Sequence, residues 1–332
     1  MKAKQDNEEE PDMSVGIVKT LSSETKERLT RGQISQSKVD RYYRFLDDRV
    51  ARKIFSHPVI VDNKFTGWFQ DGSFDKTDLR HFVVQFSVFS NLFIEAQLKK
   101  TINAPTIEAM HASKEILLNE LGVVFRNPNP KKTQEQPCTD CSNSKTCADT
   151  QAELVETEGT VDGGTFRFAA AHFEWLLRMA PFLDLTFSDM GKRRHGTSST
   201  LFFCDELCRI YGSEDLQVAL GASFGVENWA AAGFWKELVR GLQVFKRREC
   251  RDLPLAFFTW HDRVEDQHAM HTFAELERDY FSMDLDEDKF IEGAVEMLNG
   301  VKAFWDGLNS DRMKRSGERQ PQMCCKFVLQ RQ

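Results

Sequence analysis

Apolar positions recur at helical spacing along most of this chain. Between Thr77 and Thr101, Phe82, Val83, Phe86, Phe89, Phe93 and Ile94 return every few residues, which gathers them on one side of a helix. Ser73-Phe74-Asp75-Lys76-Thr77-Asp78 offers the capping residues that start it, after a turn at Asp71-Gly72. The same pattern predicts helices from Gln33 to Phe55, stopped by His57-Pro58, from Ala104 to Gly122, closed by Gly122, and from Phe166 to Met179. Further helices are predicted over Ser199 to Tyr211, Asp215 to Gln243 with a break near Gly225, Leu255 to Ala274, and Asp286 to Asn309. No convincing strand pattern and no internal repeat is found. The predicted class is all-α, a bundle of seven or eight helices.

The polar stretches divide the chain. Residues 1–20 read as a disordered tail, residues 21–310 as the helical domain and residues 311–332 as a C-terminal tail whose basic run is solvated. The segment 127–164 differs in kind. It opens on Asn127-Pro128-Asn129-Pro130, continues in Lys, Gln, Thr and Ser, and carries three cysteines. It reads as an inserted loop, longer than compact domains usually carry without a function.

Composition narrows the function classes. The 332 residues carry a net charge of −7 and no strong basic stripe, which argues against nucleic acid as the main partner. No apolar run reaches the length of a membrane span, and Met1 to Met13 is charged, without the apolar core of a secretory signal. A cytoplasmic location with no membrane partner is the expectation. There the eight cysteines stay reduced and form no disulfide framework. Cys138-x2-Cys141-x5-Cys147 can supply part of a zinc site, with Cys204 or Cys208 as a fourth ligand; the plainer alternative is a thiol-bearing loop.

The most informative chemistry is His261, Glu265 and His268, spaced i, i+4, i+7. At about 100° per residue they fall within roughly 60° of one helix face. Two imidazoles and a carboxylate suit a divalent metal, including non-heme iron. Three more candidates sit among apolar residues of other predicted helices: Glu120, His172 and Glu227. Singly, each has an ordinary reading: an exposed helix-end carboxylate, a core histidine, a carboxylate at a helix N-terminus. Together they gain weight, because a carboxylate in apolar surroundings is costly unless paired or metal-bound. His111 is a fallback for His172, although it lies nine residues before Glu120, about 180° away on the same helix.

The order Glu120, His172, Glu227, then His261-x3-Glu265-x2-His268 resembles the heme-oxygenase-like diiron oxidases and oxygenases. The segments Phe69 to Phe86, Leu118-Asn119-Glu120-Leu121-Gly122 and Gly221 to Glu227 resemble the surroundings of that family's ligands, over roughly residues 35–305. The resemblance implies a heme-oxygenase-like bundle holding two Fe(II) ions on those six residues, with O2 as co-substrate. It implies oxidation of a small organic molecule bearing a carboxylate or an amine, by N-oxygenation, oxidative decarboxylation or C–C cleavage. An external electron donor and a homodimer are compatible with it. Two departures stand out: the triplet's middle ligand is usually Asp, and Glu120 and His172 are usually much closer in sequence. A related architecture in thiamin-degrading enzymes uses a cysteine nucleophile, for which Cys204 or Cys208 would be candidates, and a metal-free helical binding module is a further alternative. Lys99, Lys100, Arg178 and Arg240 could each pair with a substrate carboxylate; nothing in the sequence singles one out.

Overall fold

The computed structural model describes residues 20–125, 166–168 and 172–319, with the backbone alone at 124–125, 166–168, 264–271 and 318–319. These residues form twelve α-helices. The N-terminal part comprises α1 (Ser23–Thr30), α2 (Gln36–Arg44), which continues into a wider π-helical stretch (Phe45–Phe55), α3 (Pro58–Val61) and α4 (Lys64–Phe69). Then come α5 (Lys76–Ile102), α6 (Ile107–Glu120), α7 (His172–Leu177), α8 (Ser198–Glu206) with a second wide turn (Leu207–Tyr211), α9 (Leu216–Ala230), α10 (Phe234–Arg248), α11 (Ala256–Ser282) and α12 (Glu287–Arg319).

The long helices form where caps and apolar stripes agree. The Asp75 carboxylate accepts from the Asp78 N–H at 2.9 Å and starts α5. Phe82 and Phe86 on α5 are each 1% exposed. Burying such a ring fully contributes about 2–3 kcal/mol. On α12, Phe290, Ala294, Met297, Val301, Phe304, Trp305 and Leu308 recur at three- and four-residue intervals, and all are buried. α12 packs along α9 and α8, α11 packs on α9, and α5 packs on α6 and on the turn Leu207–Tyr211.

α9 and α12 cross so closely that their backbones touch. A Cβ on Gly221 would run into the Phe290 carbonyl, and one on Gly293 into the Val218 carbonyl. Gly225, the predicted break, lies within α9 at the same crossing, 3.0 Å from the Ala294 carbonyl as measured from an added Cβ. The chain breaks instead at Gly233, whose φ of 93° is left-handed and suits glycine.

Two further features differ from the predicted elements. Val123–Phe125 and Phe166–Phe168 form a short antiparallel ladder pairing Val123 with Phe168, Val124 with Arg167 and Phe125 with Phe166. Helix therefore resumes at His172 rather than Phe166. At the C-terminus, α12 runs past Asn309 to Arg319, so residues 311–319 are helix rather than tail. Arg315 reaches back to Asp78 on α5 at 3.1 Å, and His81 to Asp311 at 3.1 Å, which gives those extra turns tertiary partners. The cysteines of the 127–164 loop lie outside the described residues.

Candidate metal centre

Glu120 ends α6, His172 begins α7, and His261 lies near the start of α11. The fold brings these three together. His172 Nδ1 is 2.9 Å from Glu120 Oε1, and both side chains are 13% exposed. The His172 and His261 rings stand edge to face with centroids 5.0 Å apart. The ladder explains how partners 52 residues apart in sequence can meet: it pairs the strand that follows α6 with the strand that precedes α7. α7 then packs against α5, α6 and α11. The signal for this clasp is present in Val123-Val124-Phe125 and Phe166-Arg167-Phe168, β-branched and aromatic runs flanking the insertion.

The surroundings fix the histidines. A carbonyl only accepts, so the 2.7 Å contact of His261 Nδ1 with the Phe257 carbonyl puts the proton on Nδ1. The lone pair of the neutral ring then lies on Nε2, the arrangement usual for a metal-ligating imidazole. Trp235 stacks on the same ring at 4.5 Å and Phe257 packs at 4.3 Å. Trp260 lies 4.8 Å from His172, and Trp175 lies 5.5 Å from Trp260.

Glu227 is half-buried on α9. Its charge and that of Glu120 act on one phenol, Tyr211: burial raises the Tyr211 pKa, Lys100 opposes, Glu227 and then Glu120 add to the rise, and the net is upward. Glu265 and His268 lie on the continuous backbone of α11, four and seven positions after His261, which places them on its face; their side chains lie outside the described residues. Among the described residues, no group of three or more His, Cys, Asp or Glu side chains closes into a metal-sized cluster. His111 is exposed on α6, away from Glu120.

Sequence reasoning left Lys100 undistinguished. In the structure its Nζ donates to Tyr211 Oη at 3.1 Å and to Ser223 Oγ at 2.9 Å. Lys99 instead faces Glu95 at 3.8 Å, and Arg178 and Arg240 are exposed. Tyr211 Oη donates to Gln97 Oε1 at 3.0 Å, and Gln97 Nε2 donates to the Ser113 hydroxyl and carbonyl of α6. The buried network thus ties α5 and α6 to the wall next to Glu227.

No protein-family model and no curated protein matches the chain. Among solved structures, a TenA homolog from Pseudomonas syringae pv. tomato matches at 10% identity and a TM-score of 0.50, over 82% of this chain and 93% of its own. The fold is heme-oxygenase-like. At that identity the match carries the helical architecture and nothing about activity. No helix among the described residues is long and apolar enough to cross a membrane.

Proposed function

We propose that this protein is a non-heme diiron enzyme that uses O2 to oxidise a small organic molecule. The observation that supports it is the meeting of Glu120, His172 and His261 from three separate elements of a heme-oxygenase-like bundle. The donor chemistry fits iron: imidazole nitrogens and carboxylate oxygens, with the His261 tautomer set by the Phe257 carbonyl. Glu120, His172, Glu227, His261, Glu265 and His268 would hold the two ions. Bound iron would supply the redox chemistry with O2, as the protein fixes ligands and excludes water. Here Trp175, Trp235, Trp260 and Phe257 do the excluding, packed against the two imidazoles.

The alternative reading, a thiamin-hydrolase-like enzyme, needs a reactive thiolate. Burial pushes the Cys204 thiol up to about 12, and burial also raises Cys208. A thiol held protonated is a poor nucleophile, so the diiron reading is preferred. Anaerobic Fe(II) titration, followed by absorption and metal analysis, should saturate near two ions per chain, about the stoichiometry of a six-ligand carboxylate–histidine site. Saturation at zero iron, or zinc held in preference by the same residues, would falsify the assignment.

A further inference from the structure

The outward face of α10 is basic, in a chain whose net charge is −7. Lys236, Arg240, Gln243 and Arg247 are exposed and spaced i, i+4, i+7 and i+11. They therefore share one stripe about 17 Å long, within roughly 60° of the helix surface. Arg251 extends it past the helix end, and a shallow basin of about 460 Å³ opens among Gln243, Lys246, Arg247 and Arg251. Residues 236–252 hold six Lys or Arg against three Asp or Glu.

The fold leaves these charges without counter-ions. Lys246 donates to the Leu253 carbonyl at 2.6 Å, and Arg240 reaches Gln70 Oε1 at 3.5 Å. Among the described residues, none of Lys236, Arg240, Lys246, Arg247 and Arg251 forms an ion pair. Elsewhere on the surface Arg41, Arg49, Arg193 and Arg209 all meet carboxylates. Lys236 and Arg240 are a like-charged i, i+4 pair, which weakens a helix rather than supporting it. Stability therefore does not account for the stripe.

The same helix reaches the candidate metal centre. Trp235, the residue before Lys236, is buried and stacks on His261 with centroids 4.5 Å apart. A partner seated at the Lys236 end lies one helix diameter, about 10–12 Å, from that imidazole. The proposed chemistry also needs electrons from outside. When one atom of O2 enters a C–H or N–H bond, the other leaves as water, which takes two further electrons and two protons.

We propose that the basic face of α10 docks an acidic one-electron carrier protein, which delivers those two electrons one at a time. Complementary charge speeds such encounters and selects the partner. A patch one helix wide suits the small interface of a transient redox complex better than the larger one of specific DNA binding. This deepens the proposed function and rests on it for the use of the electrons; the docking surface itself does not need iron.

The test titrates the full chain with two acidic carriers, a [2Fe–2S] ferredoxin and a flavodoxin. A basic cytochrome c and a short DNA duplex serve as controls. At least one acidic carrier should bind at about 50 mM salt and weaken about tenfold or more at about 300 mM, as screening predicts. Combining Lys236→Glu, Arg240→Glu and Arg247→Glu should weaken it about tenfold or more. Combining Lys26→Glu, Lys53→Glu and Lys114→Glu, at exposed positions elsewhere, changes the net charge equally and should weaken it by less than about twofold. Carbodiimide joins an amine to a carboxylate; it should link the bound carrier to Lys236 or Lys246 and not to Lys26, Lys53 or Lys114. Thermal melting identifies a variant that fails to fold, and the cross-links on wild type then still decide. Binding of neither carrier, equal loss in the two triple variants, cross-links confined to other lysines, or tighter binding of DNA through the same residues overturns the proposal. The iron titration is read separately. Two irons per chain without carrier binding sinks the docking face alone; carrier binding that depends on α10, without iron, sinks the diiron reading and leaves the docking face.

Discussion

His172 and His111 have the same chemistry and opposite surroundings. His172 touches Glu120 and packs against Trp175 and Trp260. His111 is exposed on the helix that Glu120 ends, half a rotation away. If the diiron assignment holds, His172→Ala should lower iron from about two to about one per chain, because one ion loses an imidazole, while His111→Ala should leave both sites filled. Iron content after anaerobic loading reads the difference. A loss in His111→Ala with His172→Ala unaffected would move the ligand onto α6, against the geometry. The residue scale also shows what spacing could and could not reveal. Helical periodicity was enough to set His111 opposite Glu120, since both lie on one helix. It could not choose Lys100 over Lys99, because that choice depends on Tyr211 and Ser223, which are more than a hundred residues away in sequence.

At the scale of elements, the helices were legible because their burial is periodic, and the exceptions have physical reasons. Glycine in a helix pattern reads as a break, yet Gly225 and Gly221 serve a helix crossing, which depends on a partner helix that no local window contains. The β-clasp at Val123–Phe125 and Phe166–Phe168 was missed because each run is three residues long and its partner lies beyond the insertion. The crossing gives a direct prediction. Gly221→Ala places a methyl against the backbone of α12 and should destabilise the fold by about 1–3 kcal/mol, the usual range for overpacking. Gly317→Ala, on α12 with open space around it, should instead stabilise by about 0.4–1 kcal/mol through helix propensity and a less flexible unfolded chain. Urea denaturation of both variants checks the pair. A neutral or stabilising Gly221→Ala would mean that α9 and α12 do not approach as closely as described.

At the scale of the whole molecule, α12 is held to the N-terminal elements by two histidines, His57 buried and His81 half-buried. His57 caps α3: its Nδ1 accepts from the Val59 N–H at 3.3 Å, and its Nε2 therefore donates to Asn299 Oδ1 at 3.2 Å on α12. Protonation of Nδ1 would cost the cap, since a protonated ring has no lone pair to accept with. His81 on α5 meets Asp311 on α12 at 3.1 Å, beside the Arg315–Asp78 pair. Both imidazoles have pKa values below their ordinary 6.5. Burial is the main cause for each, with Asn299 opposing at His57, and with Arg315 assisting and Asp311 opposing at His81. The unfolded chain therefore binds protons first as pH falls below 6.5. The stability is fully present above that value and is lost as pH drops through the folded values. The carboxylates lowered by their partners, Asp184, Asp189, Asp205 and Asp215, titrate below 3.8 and lie outside this window. Melting of metal-free protein at about pH 7.5 and about pH 5.5 should show a lower Tm at the acid end. His57→Gln combined with His81→Gln should narrow that gap, because glutamine can donate and accept without titrating. A gap of the same size in the double variant would assign the acid sensitivity to other groups and remove these two contacts as the pH-dependent hold on α12.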